Sequence, residues 1–268
     1  MTNPLAAPDP WDVVAEGYDD LTAEMMLPFA QIALDSAEPK SDARVLDVAA
    51  GPGTLTLPAA ARVARVDAVD FSPSMIERLR GHVRDAGLGN VEAQVGDGQR
   101  LPFPDNEFDT AFSMFGLMFF PDRAAGFSEL FRVLKPGGGA VVSSWAPISE
   151  SEFMTLMFGA FRAANPDIPQ PQANLLSLEN PEVFVSELRA AGFHEVTVQP
   201  HTVSKAYDSA EALWDRYSRG SAQVHLMRRN CDADTWKRRE QLMIDYLNAN
   251  YRPGQALSTT AWLGSGRK

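Results

Sequence analysis

The 268-residue sequence is long enough for one large domain, or for a core with a small cap. Its composition, 45% hydrophobic and 22% charged, excludes global disorder. The formal charge of −11, from 24 basic and 35 acidic residues, excludes an overall attraction for nucleic acid or an anionic membrane. The single cysteine, Cys231, excludes an internal disulfide and a cysteine-clustered zinc site, as is typical of a reducing compartment.

The N-terminal segment is the most acidic part of the chain. Residues 1–39 contain eight acidic residues and no basic one, whereas the rest has 27 acidic against 24 basic residues. Because the first basic residue is Lys40, a secretory or transit peptide is not expected. The longest apolar run, near residues 111–120, falls short of the roughly 18 residues that a transmembrane helix needs. We therefore expect a cytoplasmic protein without a membrane partner, and residues 1–39 as a helical lid.

Hydrophobic spacing predicts alternating strands and helices from residue 40 onward. A helix over 21–36 comes first, and Ser72 followed by Pro73 is typical of a helix start. The predicted strands up to residue 146 are 43–49, 66–70, 91–95, 108–114 and 140–145. The predicted helices between them are 54–64, 73–85 and 122–134.

Beyond Pro147 the alternation becomes irregular. We predict helices over 152–164, 181–191, 209–230 and 234–250, with strands over 194–204 and 256–263. Together the pattern indicates an α/β fold, a Rossmann-like, doubly wound and mostly parallel seven-stranded sheet with helical insertions. The expected organisation is a lid at 1–39, a cofactor-binding core at 40–146, and a helical substrate cap with the last strands at 147–268.

The loop after the first strand, Val-Leu-Asp-Val-Ala-Ala-Gly-Pro-Gly-Thr at 45–54, is the first candidate site. Ligands of open α/β sheets bind outside the carboxyl ends of the strands, where glycines allow close backbone approach. A dinucleotide-binding motif needs a third glycine at the position where this chain has Thr56. This difference disfavours binding of a pyrophosphate group. Asp70 and Asp97 end the next two strands and can accept hydrogen bonds from ribose hydroxyls and an adenine amino group.

These residues, with Leu101-Pro102-Phe103, Phe108-Asp109 and Leu134-Lys135-Pro136-Gly137-Gly138, resemble class I S-adenosylmethionine-dependent methyltransferases. The UbiE/COQ5-like branch (methyltransferase type 11) is the most similar. The resemblance covers residues 40–146 strongly and the flanks in layout only. One departure is Ala49, where the family's motif usually has glycine.

The resemblance implies S-adenosylmethionine as cofactor, S-adenosylhomocysteine as product, and fifteen cofactor-binding residues. From the methionine moiety to adenine these are Asp47, Ala49, Ala50, Gly51 and Gly53; Asp70 on the ribose; Phe71, Ser72 and Met75 beside the adenine; Asp97, Gly98 and Gln99 at its edge; Ser113 and Met114 near the sulfonium; and Tyr18, an aromatic residue that closes over the cofactor.

Because the sulfonium already activates the methyl group, the enzyme has to align donor and acceptor and needs no metal. We expect pocket walls from Phe115, Met118, Phe119 and Trp145, and hence a small, apolar or aromatic acceptor. His225 is a weak candidate for a general base. No Asn-Pro-Pro-Tyr or Asp-Pro-Pro-Tyr segment of nucleic-acid or protein amino-methylases is present.

Two alternatives remain open at this level. One is a nicotinamide-dependent oxidoreductase on a similar sheet, which Thr56 disfavours. The other is a cofactor-binding module without transfer activity, because the sequence does not mark the acceptor site.

Overall fold

The computed structural model describes residues 4–171 and 174–268. Within them, seven strands form one sheet in the order β3-β2-β1-β4-β5-β7-β6, which confirms the predicted fold class. The strands are β1 (Arg44–Val48), β2 (Arg65–Asp70), β3 (Val91–Val95), β4 (Phe108–Ser113), β5 (Leu134–Trp145), β6 (His194–Ala206) and β7 (Ala256–Arg267).

Strands β1 to β5 are mutually parallel, so their carboxyl ends meet at one edge of the sheet. In register, Val45 of β1 lies opposite Val66 of β2 on one side and Thr110 of β4 on the other. Strand β7 runs antiparallel between β5 and β6. The strand order reverses between β1 and β4, and such a switch point is where open α/β sheets bind ligands.

Ten α-helices lie in the described residues. They are α1 (Asp9–Met25), α2 (Leu27–Ala37), α3 (Thr56–Ala60), α4 (Pro73–Asp85), α5 (Arg123–Val133), α6 (Glu152–Ala164), α7 (Pro181–Ala190), α8 (Ala210–Gly220), α9 (Ala222–Arg229) and α10 (Ala233–Asn250). No helix of these described segments is long and apolar enough to cross a membrane.

Hydrophobic packing divides the helices between the sheet and the cap. Phe29 of α2 is fully buried against β1 and β4, whereas Phe127 of α5 and Phe184 of α7 belong to a second cluster on the sheet. Helices α6, α8 and α10 share a separate core that includes Trp214, and Leu21 of α1 packs into it. The N-terminal segment 1–39 is therefore not a single unit. Helix α2 belongs to the hydrophobic core of the sheet, whereas α1 packs with the cap.

Three predicted helices differ from the observed bounds by more than one residue at an end. The helix over 21–36 is part of two helices that meet at Met26, and the sequence analysis missed most of α1. The helix over 209–230 breaks at Ser221, whose hydroxyl accepts from the Val224 amide at 3.3 Å and starts α9. The helix over 54–64 shortens to α3, because residues 51–55 are used in turns.

Ion pairs cluster at the amino ends of the strands, on the edge opposite to the cavity described below. Asp67 accepts from Arg44 Nε at 2.8 Å and from Arg65 Nε at 3.0 Å, and Arg44 also pairs with Glu107. Burial alone would raise the pKa of Asp67, yet the hydrogen bonds from the two arginines hold it below its usual range. These contacts stabilise the sheet.

Candidate functional site

A cavity opens at the carboxyl edge of the sheet between the loops after β1 to β4 and helix α1. It brings together residues that lie far apart in the sequence. Twelve of the fifteen predicted cofactor residues line it: Tyr18, Asp47, Ala49, Ala50, Gly51, Asp70, Phe71, Met75, Asp97, Gly98, Gln99 and Met114.

The other three predicted residues, Gly53, Ser72 and Ser113, lie behind this lining. A Cβ on Gly53, whose φ is +101°, would overlap the Leu79 side chain. Ser72 is fully buried and caps α4, since its hydroxyl accepts from the Met75 amide at 3.1 Å. Ser113 is also fully buried, and its hydroxyl has no hydrogen-bond partner among the described residues. These residues support the cavity rather than form its surface.

The loop after β1 turns through left-handed backbone at Ala49 and Gly51, with φ of 59° and 54°. At Gly51 the nearest neighbour of an added Cβ is Tyr18 Cε1 at 3.8 Å, so this glycine faces the Tyr18 ring at van der Waals distance. Left-handed backbone is strained for alanine and not for glycine. The departure from the family's glycine at Ala49 therefore has an energetic cost that the sequence alone did not reveal.

Ala49 also interlocks with the loop after β4. A Cβ on Gly116 would overlap the Ala49 Cβ, and the preceding Phe115 has a φ of 58°. The Phe115 amide donates to the buried Ser143 hydroxyl at 2.9 Å, which fixes the strained residue. The two loops thus meet where one has a methyl group and the other has none.

Substituting Gly116→Ala should therefore lower the free energy of unfolding by about 1–3 kcal/mol through overpacking against Ala49. In the Ala49→Gly background the same change should cost less, because the opposing methyl group is gone. Urea unfolding of both single variants and the double variant measures this coupling. Strictly additive costs would contradict the interlock.

Two buried carboxylates dominate the electrostatics of the cavity. Asp70 is 5% exposed and accepts from the Gly51 amide at 2.8 Å and the Ser72 amide at 2.9 Å. Asp47 is 1% exposed and accepts from the Thr56 hydroxyl at 2.6 Å. Burial raises the pKa of Asp70 to about 6 and that of Asp47 to about 7. The described lining contains no Lys, Arg or His, so a cationic ligand would relieve this burial cost.

Helix α1 is bound to the N-terminal half of α4 through two acidic side chains. Asp12 Oδ1 accepts from the Ser72 hydroxyl at 2.5 Å and the Ser74 amide at 3.1 Å, so it caps α4 from a distant part of the chain. Asp19 accepts from Arg78 Nε at 2.6 Å. Neither role is visible in the sequence, since the partners of Asp12 and Asp19 lie about sixty residues away.

On its other side, α1 meets α8 backbone to backbone. A Cβ on Gly17 would lie 2.5 Å from the Arg219 carbonyl oxygen, and one on Gly220 would lie 2.8 Å from the Gly17 oxygen. Asp20 pairs with Arg216 at 3.7 Å and Arg219 at 3.4 Å. Helix α1 therefore lies between the cofactor half of the sheet and the cap.

An aromatic wall lines the side of the cavity next to α1. Phe119 lies 5.3 Å from Trp11, and Trp11 lies 5.8 Å from Tyr18, measured between ring centroids. Phe115 also lines the cavity, and Trp145 stacks behind it at 4.0 Å. Lining residues that the sequence analysis did not assign to the site include Leu5, Thr22, Met26, Ala30, Phe120 and Pro121.

Three predicted acceptor-side residues do not line the cavity. Trp145 and Met118 support it from behind, and the Met118 sulfur accepts from the Ser144 hydroxyl at 3.5 Å. His225 is partly buried on α9 and is not among the described lining residues. The candidate general base is therefore not brought to the cavity. Among the described residues, no group of three or more His, Cys, Asp or Glu is arranged to hold a metal.

Comparison of the sequence with known proteins assigns this chain to a family. Residues 45–138 match a family model described as a methyltransferase domain. The protein Rv1405c of Mycobacterium tuberculosis is 35% identical over 205 residues, covering 75% of this chain and 72% of that protein. The nocamycin O-methyltransferase of Saccharothrix syringae is 30% identical over 219 residues, covering 76% and 78%.

Further comparisons agree with these. The aklanonic acid methyltransferase DauC of a Streptomyces species is 29% identical over 196 residues, covering 68% of this chain and 89% of that one. Among solved structures, the YcgJ protein of Bacillus subtilis shares the fold with a TM-score of 0.60 at 22% identity, covering 89% and 97%. These matches favour methyl transfer over the nicotinamide-dependent alternative. The chain therefore belongs to the class I S-adenosylmethionine-dependent methyltransferases.

Proposed function

We propose that this methyltransferase methylates a small, apolar or aromatic metabolite bound against the aromatic wall of the cavity. One observation carries the proposal: a single cavity joins the buried carboxylates Asp47 and Asp70 to Trp11, Phe115 and Phe119. Bound S-adenosylmethionine supplies a methyl group that its positive sulfur has already activated.

The residues present fit this cofactor. Its ammonium and sulfonium groups outnumber its one carboxylate, and the cavity has two buried carboxylates without a basic residue in the described lining. Asp70 would accept from the ribose hydroxyls, and Asp47 with the Ala49–Gly53 backbone would hold the methionine moiety. Asp97, Gly98 and Gln99 would bind the adenine edge, while Phe71 and Met75 pack beside the ring.

The chain's own contribution to the reaction is alignment and exclusion of water. Phe115 is 5% exposed and Met75 2%, so both side chains are shielded from solvent. Met114 at the end of β4 would lie near the sulfonium, and Ser113 supports it from behind the lining. A dry, aligned site favours in-line displacement, and a base is needed only where the acceptor has to lose a proton.

The relatives support a small-molecule acceptor, since two are named for nocamycin and aklanonic acid. The acidic composition supports an acceptor other than nucleic acid. The UbiE/COQ5-like branch and a cytoplasmic location stay predictions from the sequence.

The acceptor is best identified by release of S-adenosylhomocysteine from a panel of apolar and aromatic metabolites, detected through coupled homocysteine formation. We expect turnover with at least one neutral or aromatic member. Calorimetric titration with S-adenosylmethionine alone gives the independent check on the cofactor. No binding at millimolar cofactor would refute the proposal.

Phe119→Ala should raise the KM for such an acceptor about 10-fold, because it removes an aromatic face from the wall. The affinity for S-adenosylmethionine should change less than about 2-fold. Phe131→Ala is the matched control, since Phe131 packs against Phe193 and is not among the described lining residues of the cavity. Equal effects of Phe119→Ala on both ligands would contradict the separation of the two subsites.

We further propose that α1 alone, rather than all of residues 1–39, is the lid over the cofactor. Deleting residues 1–39 would also remove α2, whose Phe29, Ala33 and Leu34 are fully buried in the sheet core. A point substitution in α1 is therefore the cleaner test.

Gly17→Val should displace α1 from α8, because any Cβ there meets the Arg219 carbonyl. We expect about 10-fold weaker cofactor binding, measured by calorimetry. The far-ultraviolet circular dichroism spectrum should stay unchanged, because the sheet remains folded. Gly81→Val is the control, since the nearest atom to its added Cβ is Arg84 Nη2 at 3.9 Å. Undiminished binding in Gly17→Val would refute the lid.

A further inference from the structure

His82 connects the two sides of the cofactor cavity through its two ring nitrogens. Its Nδ1 lies 2.9 Å from the carbonyl oxygen of Pro52, in the loop after β1. Its Nε2 lies 3.2 Å from Asp19 Oδ2 of α1. Pro52 lines the cavity, and Asp19 directly follows Tyr18, which lines it from the other side. One imidazole therefore bridges the cofactor loop and the lid.

Both partners of His82 are hydrogen-bond acceptors. A neutral imidazole has one N–H and can donate to only one of them, whereas an imidazolium donates to both. The bridge is therefore complete only in the protonated form. The side chain is 31% exposed.

The charged groups around His82 in the described residues are few. Asp19 faces it from α1, and Arg78, one turn earlier on α4, binds the same carboxylate. The loop after β1 contributes the neutral Pro52 carbonyl. Asp19 Oδ1 is buried with no partner among the described residues. In the described structure, the side chain of Asp19 is therefore fixed only by the groups that contact its other oxygen, Oδ2.

We propose that His82 is a positioning residue whose protonated ring holds α1 against the cofactor loop, so that its contribution to cofactor affinity is lost as pH rises. The inference rests on the proposed cofactor site and adds a pH-sensitive contact to it. His82 touches neither reacting group and acts through Pro52 and Asp19.

The test compares S-adenosylmethionine binding by wild type and His82→Gln, by calorimetry, across about pH 5 to 8. Glutamine keeps one donor and has no charge to lose. We expect the wild type to bind roughly 3- to 5-fold tighter at the acid end and equally at the alkaline end. Asp47 and Asp70 titrate in both proteins, so their effect cancels in the ratio of affinities. A purely structural role would leave that ratio constant.

Two further variants sharpen the comparison. In the Asp19→Asn background, His82→Gln should change the affinity less at the acid end, because the charged partner is gone. The control His194→Gln, on the exposed edge strand β6, should bind S-adenosylmethionine with the same affinity as the wild type at every pH. A ratio that does not vary with pH, with binding intact, overturns this inference alone. Absence of cofactor binding in the wild type overturns the proposed site and this inference together.

Discussion

Asp70→Asn should weaken S-adenosylmethionine binding about 100-fold, because a charged acceptor for two ribose hydroxyls is replaced by a neutral one. The carboxylate already accepts from the Gly51 and Ser72 amides, which fixes its orientation at the end of β2. The substitution keeps the shape of the side chain, but it removes the charge and replaces one of the two accepting oxygens with an NH2 group that cannot accept from the Gly51 or Ser72 amide. Calorimetric titration of the purified variant measures the loss.

Asp67→Asn is the matched control on the same strand. Asp67 lies at the opposite edge of the sheet, paired with Arg44 and Arg65. Both arginines are partly exposed, so we expect a loss of about 1–3 kcal/mol in unfolding free energy. Its cofactor affinity should equal that of the wild type. If Asp70→Asn retained affinity as well, the ribose assignment would be wrong.

The cofactor-free protein should lose stability, and gain cofactor affinity, as pH rises from about 4 to about 7. Burial raises the pKa of Asp47 to about 7 and of Asp70 to about 6, from 3.8 in an unfolded chain. Their contribution to stability is therefore complete below about pH 4 and lost as pH rises through the folded values. A cationic cofactor prefers the ionised pair, so its affinity changes in the opposite direction.

Asp47→Asn isolates the larger of the two effects. The unfolding free energy of this variant minus that of the wild type should increase by a few kcal/mol as pH rises from about 4 to about 8. The reason is that the variant has no buried charge to form. It should also bind cofactor more weakly. Proton release on cofactor binding near pH 6, read from titrations of the His82→Gln variant in buffers of different ionisation enthalpy, gives a second measurement. Binding without proton release would contradict the shifted carboxylates.

The sheet and the cofactor loop could be predicted from the sequence because their signals are local. Strand β3 and helix α6 have the predicted bounds, Val91–Val95 and Glu152–Ala164. Ser72 caps α4 as its position before Pro73 indicates. Each of these features depends either on the spacing of hydrophobic residues or on a helix cap whose partner lies within three residues. Both signals are visible in the sequence.

Helix α1 could not be placed in the same way. Its spacing of Val14, Tyr18, Leu21 and Met25 is a usable helical signal that the acidic, proline-containing composition obscured. Its position depends on Asp12, which caps a helix about sixty residues away, and on Gly17, which matters only because α8 lies against it. Such long-range contacts leave no trace in a local pattern. Likewise, the strain at Ala49 became visible only with its backbone conformation.

The interlock of Ala49 with Gly116 has a consequence for redesign of acceptor choice. Because the methyl group of one loop occupies the space left by the other, changes at 115–116 would be transmitted directly to the backbone of the loop after β1, the proposed site of the methionine moiety. The Trp11 and Phe119 rings meet each other, and neither ring is among the three atoms nearest to a Cβ at Gly116; the Phe119 backbone amide donates to the Gly116 oxygen at 2.9 Å. Acceptor specificity in this enzyme should therefore evolve, and be engineered, through Trp11 and Phe119, while 49 and 116 vary only as a pair.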